Sequence, residues 1–319
     1  MTDREGLNSS VSRRSLLLGT APAAAVGGLL AAGVGPVVAR GEESDGVDLP
    51  AADGRFTVRR VTLYAEPVGD GYGYGLAPGK ASVPGPTLEM YEGEQLEVTL
   101  VNSTDRRVSI HVHGVDYDVN SDGTPMNDGC VPPGERRRYV WRAHRTARRQ
   151  GGTIRPGSAG YWHYHDHCMG GEHGTEGIAA GLYAGLIVRR KGDLLPARRP
   201  FVVVMQDMSI NGRMAPDTPT FVARRGERVE FVVIGHGNSH HTFHLHGHRW
   251  ADTRTGNLSS FHSEIPILDN KTVGPADSFG FQVIAGEGVG PGEWMYHCHV
   301  QFHADGGMTG VFLVRDTRR

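Results

Sequence analysis

The sequence predicts an all-β protein built as a duplicated pair of domains, and three observations predict it. From residue 56 onward, short β-branched and aromatic runs alternate with Gly/Pro/Asp clusters, the pattern of strands in sandwiches or barrels. No stretch keeps a 3.6-residue apolar period over three turns. Glycine makes up 46 of 319 residues, about twice the usual share of roughly 7%, without a collagen period. At roughly 100 to 200 residues per domain the length suggests two domains, each able to bury a core without staples. The expected strands include 56–63, 95–101, 138–141, 201–205, 228–234 and 310–314.

In chain order, the first 39 residues stand apart. Arg13-Arg14 precedes Leu16-Leu17-Leu18 and an Ala/Gly-rich stretch ending in Val37-Val38-Ala39, which resembles a bacterial twin-arginine export signal. A membrane anchor is the other reading of this stretch. Its Ala/Gly content, Pro22 and Pro36 make it a poor one, so the mature chain is expected to be secreted or extracytoplasmic, without stable membrane insertion. Lys+Arg 33 against Asp+Glu 35 leaves no polybasic surface, and nucleic acid is excluded as a partner.

The remainder repeats. Glu92-Gly93-Glu94-Gln95-Leu96-Glu97-Val98 returns as Arg225-Gly226-Glu227-Arg228-Val229-Glu230-Phe231, and His111-Val112-His113-Gly114 returns as His244-Leu245-His246-Gly247, both 133 positions on. Tyr164-His165-Asp166-His167 returns as Tyr296-His297-Cys298-His299. A period this long marks domain duplication, since solenoid repeats run about 20 to 50 residues. The polar stretch 191–200 separates the units, giving an export signal over 1–39 and domains over 40–195 and 196–319.

All 17 histidines follow residue 110, and eight of them form His-x-His pairs: His111/His113, His165/His167, His244/His246 and His297/His299. On a strand, residues i and i+2 share a face, so each pair offers two imidazoles to one site, a donor set suited to copper, zinc, iron or nickel. Cys298, between two paired histidines, projects to the opposite face. With His303, Met308 and His241 it completes two imidazoles, a thiolate and a weak thioether, the donor set of a blue-copper centre. His240 beside His241 could exchange roles with it.

These strings, HVHG at 111–114, WHYHDH at 162–167, HTFHLHGH at 241–248 and HCHVQFHADGGM at 297–308, resemble the multicopper oxidases, most closely the bacterial two-domain small laccases. The resemblance covers essentially the whole mature chain. It implies two cupredoxin-like Greek-key β-sandwich domains and four coppers per chain. Type 1 copper would be held by His241, Cys298, His303 and Met308, and type 2 copper by His111 and His244. The type 3 pair would be held by His113, His165, His167, His246, His297 and His299. It also implies one-electron oxidation of phenolic or aromatic amine substrates, four-electron reduction of O2 to water, and a homotrimer with trinuclear clusters at its interfaces. Met308, in place of a non-coordinating side chain, implies a type 1 potential at the lower end for the family.

Asp122 matches the family's Asp-Gly after the first histidine pair and is a candidate proton relay; an Asp-Gly turn is the plainer role. Tyr117 is a candidate redox-active aromatic near the cluster, or a core tyrosine. Of the seven other histidines (His144, His163, His173, His236, His240, His248 and His262), His163 is the alternative ligand, because it precedes His165 by two. Cys130 and Cys168 suit a disulfide in an exported protein, with two free thiols as the alternative. A copper nitrite reductase or a blue-copper carrier would use fewer of these imidazoles.

Overall fold

The computed structural model describes residues 56–149, 151–260 and 264–316. The proposed export signal over 1–39, the start of the first domain and His262 lie outside the described residues. The regular structure described is almost all strand, arranged as two sandwiches of corresponding strand order, the second with one further edge strand. In the first, Gly71–Gly75, Thr57–Val68, Glu94–Asn102 and Arg136–Arg142 form one sheet, and Leu88–Tyr91, Tyr183–Arg189, Gly160–His165 and His111–Val112 form the other. In the second, Ser209–Ile210, Phe201–Gln206, Arg228–His236 and Ser278–Ile284 face Thr220–Arg224, Thr309–Arg315, Gly292–Cys298, His241–Leu245 and Asn270–Val273.

The sheets are mixed. Thr57–Val68 runs parallel to Glu94–Asn102, Phe201–Gln206 parallel to Arg228–His236, and both closing strands run parallel to an edge strand. The chain crosses to the facing sheet between these partners, which is the Greek-key route and which no two-residue hairpin could provide.

Each sandwich encloses its own core, around Leu63, Val98, Trp141 and Tyr164 in the first and Phe231, Phe243, Phe281 and Phe312 in the second. A third cluster, Tyr161, Tyr183, Ile187, Val204, Val232 and Ile234, lies where the outer faces of two sheets meet. Tyr183–Arg189 is therefore buried along its whole length, and its run of apolar residues reads as a strand covered on both faces. Beside this cluster Glu230, fully buried, accepts from Arg189 Nη1 at 3.0 Å, Arg189 Nη2 at 2.8 Å and the Tyr161 hydroxyl at 2.6 Å. Pairing on this scale answers the cost of burying the charge and holds Arg228–His236 so that His236 ends beside His163 and His165.

Two five-residue helices, Thr175–Ala179 and Gln301–Asp305, interrupt the strands. Neither was expected, because one turn carries no readable period. Among the described residues no helix is long and apolar enough to cross a membrane.

Candidate metal centres

The paired histidines stand where strands end. His111 and His165 are direct cross-strand partners, as are His244 and His297. His113, His167, His246 and His299 each lie one residue or two beyond the strand that carries their partner, so every pair straddles a strand end and turns both rings to the sheet's rim.

Local hydrogen bonds set the ring orientations, and the two sandwiches use the same ones. His111 donates from Nδ1 to the Asp122 carbonyl at 2.7 Å, and His244 donates from Nδ1 to the Asp269 carbonyl at 2.8 Å. His165 and His297 donate from Nδ1 to the carbonyls of the residues that follow them, Asp166 at 2.7 Å and Cys298 at 2.8 Å. A ring whose proton is held on Nδ1 offers its Nε2 lone pair outward. His113 Nε2 lies 3.1 Å from His165 Nε2, and His246 Nε2 lies 3.2 Å from His297 Nε2. Donor atoms of His111, His113 and His165 gather within 4.8 Å of one another, as do those of His244, His246 and His297. His167 and His299 join by ring contact, 5.1 Å from His111 and 5.3 Å from His244 between centroids. Burial pushes His113 down to about 4, with the charge of His111 adding to it. Neutral imidazoles are what metal ligation requires.

Cys298 turns its thiol to the reverse face. It is free and fully buried, with Sγ 3.5 Å from His303 Nδ1 and 3.8 Å from His241 Nδ1. Met308 is buried in the same core cluster, and its backbone is tied to this pocket through Cys298 N–H to Met308 O and Met308 N–H to His303 O, both 3.0 Å. His241 is the fully buried imidazole and His240 is exposed. The donor set at each place, imidazole nitrogens alone at the rims and thiolate with two imidazoles behind one of them, fits copper.

His163 does not join the imidazole group. It stacks on His113 at 4.0 Å, and both its ring nitrogens are buried without a hydrogen-bond partner among the described residues. Burial holds it well below the usual imidazole range. His236 packs against His163 and His165, a neighbour that sequence spacing could not reveal because it comes from the other sandwich. Asp269 was equally unreadable, since it acts through its carbonyl.

Asp122 accepts from Thr124 Oγ1 at 2.6 Å and Asn127 Nδ2 at 2.7 Å. Burial raises its carboxyl, and these hydrogen bonds outweigh that and leave it below the ordinary range. Tyr117 is half-buried with its ring 5.8 Å from His111, and burial together with Asp122 raises its hydroxyl. Cys130 and Cys168 are disulfide-bonded, with Cα atoms 5.8 Å apart.

Sequence profiles described as multicopper oxidase match residues 80–193 and 195–318. A probable nitrite reductase-hydroxylamine oxidoreductase fusion protein of Kuenenia stuttgartiensis is 33% identical over 277 residues, covering 78% of this chain and 30% of that protein. A laccase of Pycnoporus cinnabarinus is 31% identical over 109 residues, 33% of this chain and 20% of that one. The chain thus spans less than a third of the length of the curated relatives it matches. A crystal structure of a multicopper oxidase shares the fold with a TM-score of 0.60 at 23% identity, over 83% of this chain and 92% of that chain.

Proposed function

Since the chain belongs to the multicopper oxidase family, we propose that it is a laccase-type oxidase taking electrons from phenols or aromatic amines and reducing O2. One observation carries the reading: Cys298 faces a two-imidazole pocket on one side of its strand, while His297 and His299, its covalent neighbours, face the imidazole cluster on the other. The overall chemistry balances as four phenols and one O2 giving four phenoxyl radicals and two waters.

Copper bound there, four per chain, would supply the one-electron redox chemistry. His241, Cys298, His303 and Met308 would hold the type 1 ion. His111 and His244 would hold type 2, and His113, His165, His167, His246, His297 and His299 the type 3 pair. The carbonyls of Asp122, Asp166, Asp269 and Cys298 fix the protons of four of these rings and so aim their Nε2 atoms. Cys298 provides an unbroken covalent path from thiolate to His297 and His299. The Asp122 carboxylate, 3.6 Å from His111 Nδ1, would accept a proton transiently and pass it on as a relay, and Tyr117 beside it would act as a redox-active aromatic.

Each sandwich offers only half of a cluster, and His246 and His299 are exposed. In this reading a neighbouring subunit of a homotrimer would supply the other half, with domains at 40–195 and 196–319 and export of the folded chain through the Arg13-Arg14 signal. The likeness to the nitrite reductase fusion protein favours a second reading, a copper nitrite reductase, which would leave several paired imidazoles idle.

Copper analysis with O2 uptake on 2,6-dimethoxyphenol, in wild type and Asp122→Asn across pH, decides. Four coppers per chain, O2 consumption and a pH profile altered in the variant support the reading. Two coppers with nitrite reduction refute it, and an unchanged profile removes Asp122 from proton transfer.

A further inference from the structure

The near-neutral total, from which no polybasic surface is expected, hides an uneven distribution. Eight of the chain's 33 Lys and Arg fall within 136–155, and no Asp or Glu is among those residues. The strand Arg136–Arg142 opens the run at the edge of its sheet. Its Tyr139 and Trp141 are buried in the first core opposite Val98 and Leu96. Alternation therefore turns Arg136, Arg138 and Arg142 to the outer face, beside Val101, Thr99 and Gln95. Arg60, paired in register with Glu97, lies on the same face two strands in.

The run continues past the strand. Ala147–Arg148 and Ile154–Arg155 pair as a short antiparallel ribbon, with Arg148 and Arg149 exposed. Two contacts hold its base to the sheet. Arg155 pairs with Asp116, whose backbone N–H and carbonyl bond those of Arg142. The Arg145 guanidinium covers Gly93, where an added Cβ would meet Nη2 at 2.6 Å. Sheet face and ribbon form one continuous basic surface.

Little of this charge is used inside the molecule. Among the described residues, only Arg138 and Arg155 of the eight reach a carboxylate. Arg138 shares Glu97 with Arg60, at 3.4 and 3.0 Å. Arg142 donates to the neutral Gln95 at 3.0 Å, and Arg137 to two backbone carbonyls. Charge on an edge strand guards it against pairing with another sheet, which accounts for Arg136, Arg138 and Arg142 but not for Arg145, Arg148 and Arg149 beyond it.

Shape selects the partner. At about 3.4 Å per residue the strand lays its arginines along about 20 Å of open sheet, where a small anion meets two guanidiniums and a linear polymer meets all of them. A membrane surface calls for inserting aromatic or leucine side chains, whereas Thr62, Thr99 and Val140 stand between these arginines. The ribbon pairs over two residues on each strand, too short to lie along a nucleic-acid groove. Planar guanidiniums match carboxylates two bonds at a time. We propose that Arg136, Arg138, Arg142, Arg145, Arg148 and Arg149 bind a linear carboxylated polysaccharide, holding the protein on such a polymer through the outer face of its first sandwich. The surface lies apart from the metal centres and does not depend on what they do.

The test titrates the full chain with polygalacturonate by calorimetry at low and high salt, with neutral dextran, dextran sulfate, duplex DNA and phosphatidylglycerol vesicles as comparison probes. Wild type should bind polygalacturonate and not dextran, and salt at about 0.5 M should weaken binding by about tenfold or more. Arg136→Gln with Arg138→Gln, and Arg148→Gln with Arg149→Gln, should each weaken it about two- to tenfold, and all four together by more than about tenfold. Lys at the same four positions keeps the charge and should restore most of the binding. Arg213→Gln with Arg225→Gln, on the second sandwich, should leave it unchanged. Equal affinity in wild type and the fourfold Gln variant overturns the proposal, as does a preference for duplex DNA or vesicles, or binding of dextran sulfate alone. Salt-sensitive self-association without polymer, lost in the fourfold Gln variant, would assign the surface to a second copy of the chain and overturn it as well.

Discussion

The two sandwiches agree on one face of a strand and disagree on the other. On the rim, His111, His113, His165 and His167 correspond one for one to His244, His246, His297 and His299, down to the carbonyls that hold Nδ1. On the reverse face, Asp166 stands where the second sandwich has Cys298. The first repeat has Val108 at the place of His241, 133 positions earlier. Asp166 accepts from the backbone N–H groups of Ser109 and Met169 at 2.7 Å and of Cys168 at 3.1 Å. Burial pushes its carboxyl up to about 6. Duplication thus preserved the imidazole geometry, which register and backbone carbonyls dictate, and left the reverse face free to diverge. One copy braces a loop there and the other builds a thiolate pocket.

The sharpest way to break this comparison is to change the corresponding residues. Cys298→Ser removes the thiolate, and its effect should exceed the roughly 10- to 100-fold typical of losing a mere supporting hydrogen bond at a metal site. Donor oxidation and the intense thiolate absorption should disappear while the fold persists. Asp166→Asn should leave that absorption in place and cost about 1–3 kcal/mol in urea denaturation, because Asn offers one carbonyl oxygen to three N–H donors. Loss of the absorption in Asp166→Asn would show that the two faces are not independent.

Legibility followed the same division. The His-x-His pairs and Cys298 were readable because strand alternation converts spacing into facing, and Thr57–Val68, Arg228–His236 and their equivalents were readable from β-branched runs. The parallel pairing of Thr57–Val68 with Glu94–Asn102 was not, since it depends on where the chain crosses between sheets. Nor were the carbonyls of Asp122 and Asp269, because any residue supplies a carbonyl. The helix Gln301–Asp305 is too short for a period, although it decides that His303 rather than His241 meets solvent. Glu230 resembled any repeat residue until Arg189 and Tyr161 of the other sandwich closed over it.

The disulfide is a second asymmetry of the reverse face. Cys130 and Cys168 lie 38 residues apart in sequence, close beside Asp166, and the second sandwich has no counterpart among the described residues. Removing a cross-link over a loop of this length relaxes the unfolded chain by about 2–4 kcal/mol. Cys130→Ser with Cys168→Ser should therefore lower the denaturation midpoint without altering the Cys298 absorption. A stability unchanged by reduction would show that the loop is held by Asp166 alone.

The smallest difference lies in the glycines that follow each rim pair. Gly114 and Gly247 both have positive φ, +77° and +69°, so a side chain at either costs about 1–2 kcal/mol for the left-handed conformation alone. The neighbouring indoles then separate them. A Cβ on Gly114 would fall within the Trp162 ring, which is held by its Nε1–H to Ser158 O at 2.8 Å. A Cβ on Gly247 would meet the Trp294 ring edge at 2.8 Å, and that indole is tied more loosely, to Gly290 O at 3.3 Å. Gly114→Ala must displace a tethered ring and should cost about 1–3 kcal/mol beyond the backbone term, whereas Gly247→Ala should stay close to the backbone term. Equal losses in urea denaturation would mean that the rim is equally tight in both copies, and that the divergence between them is confined to the reverse face.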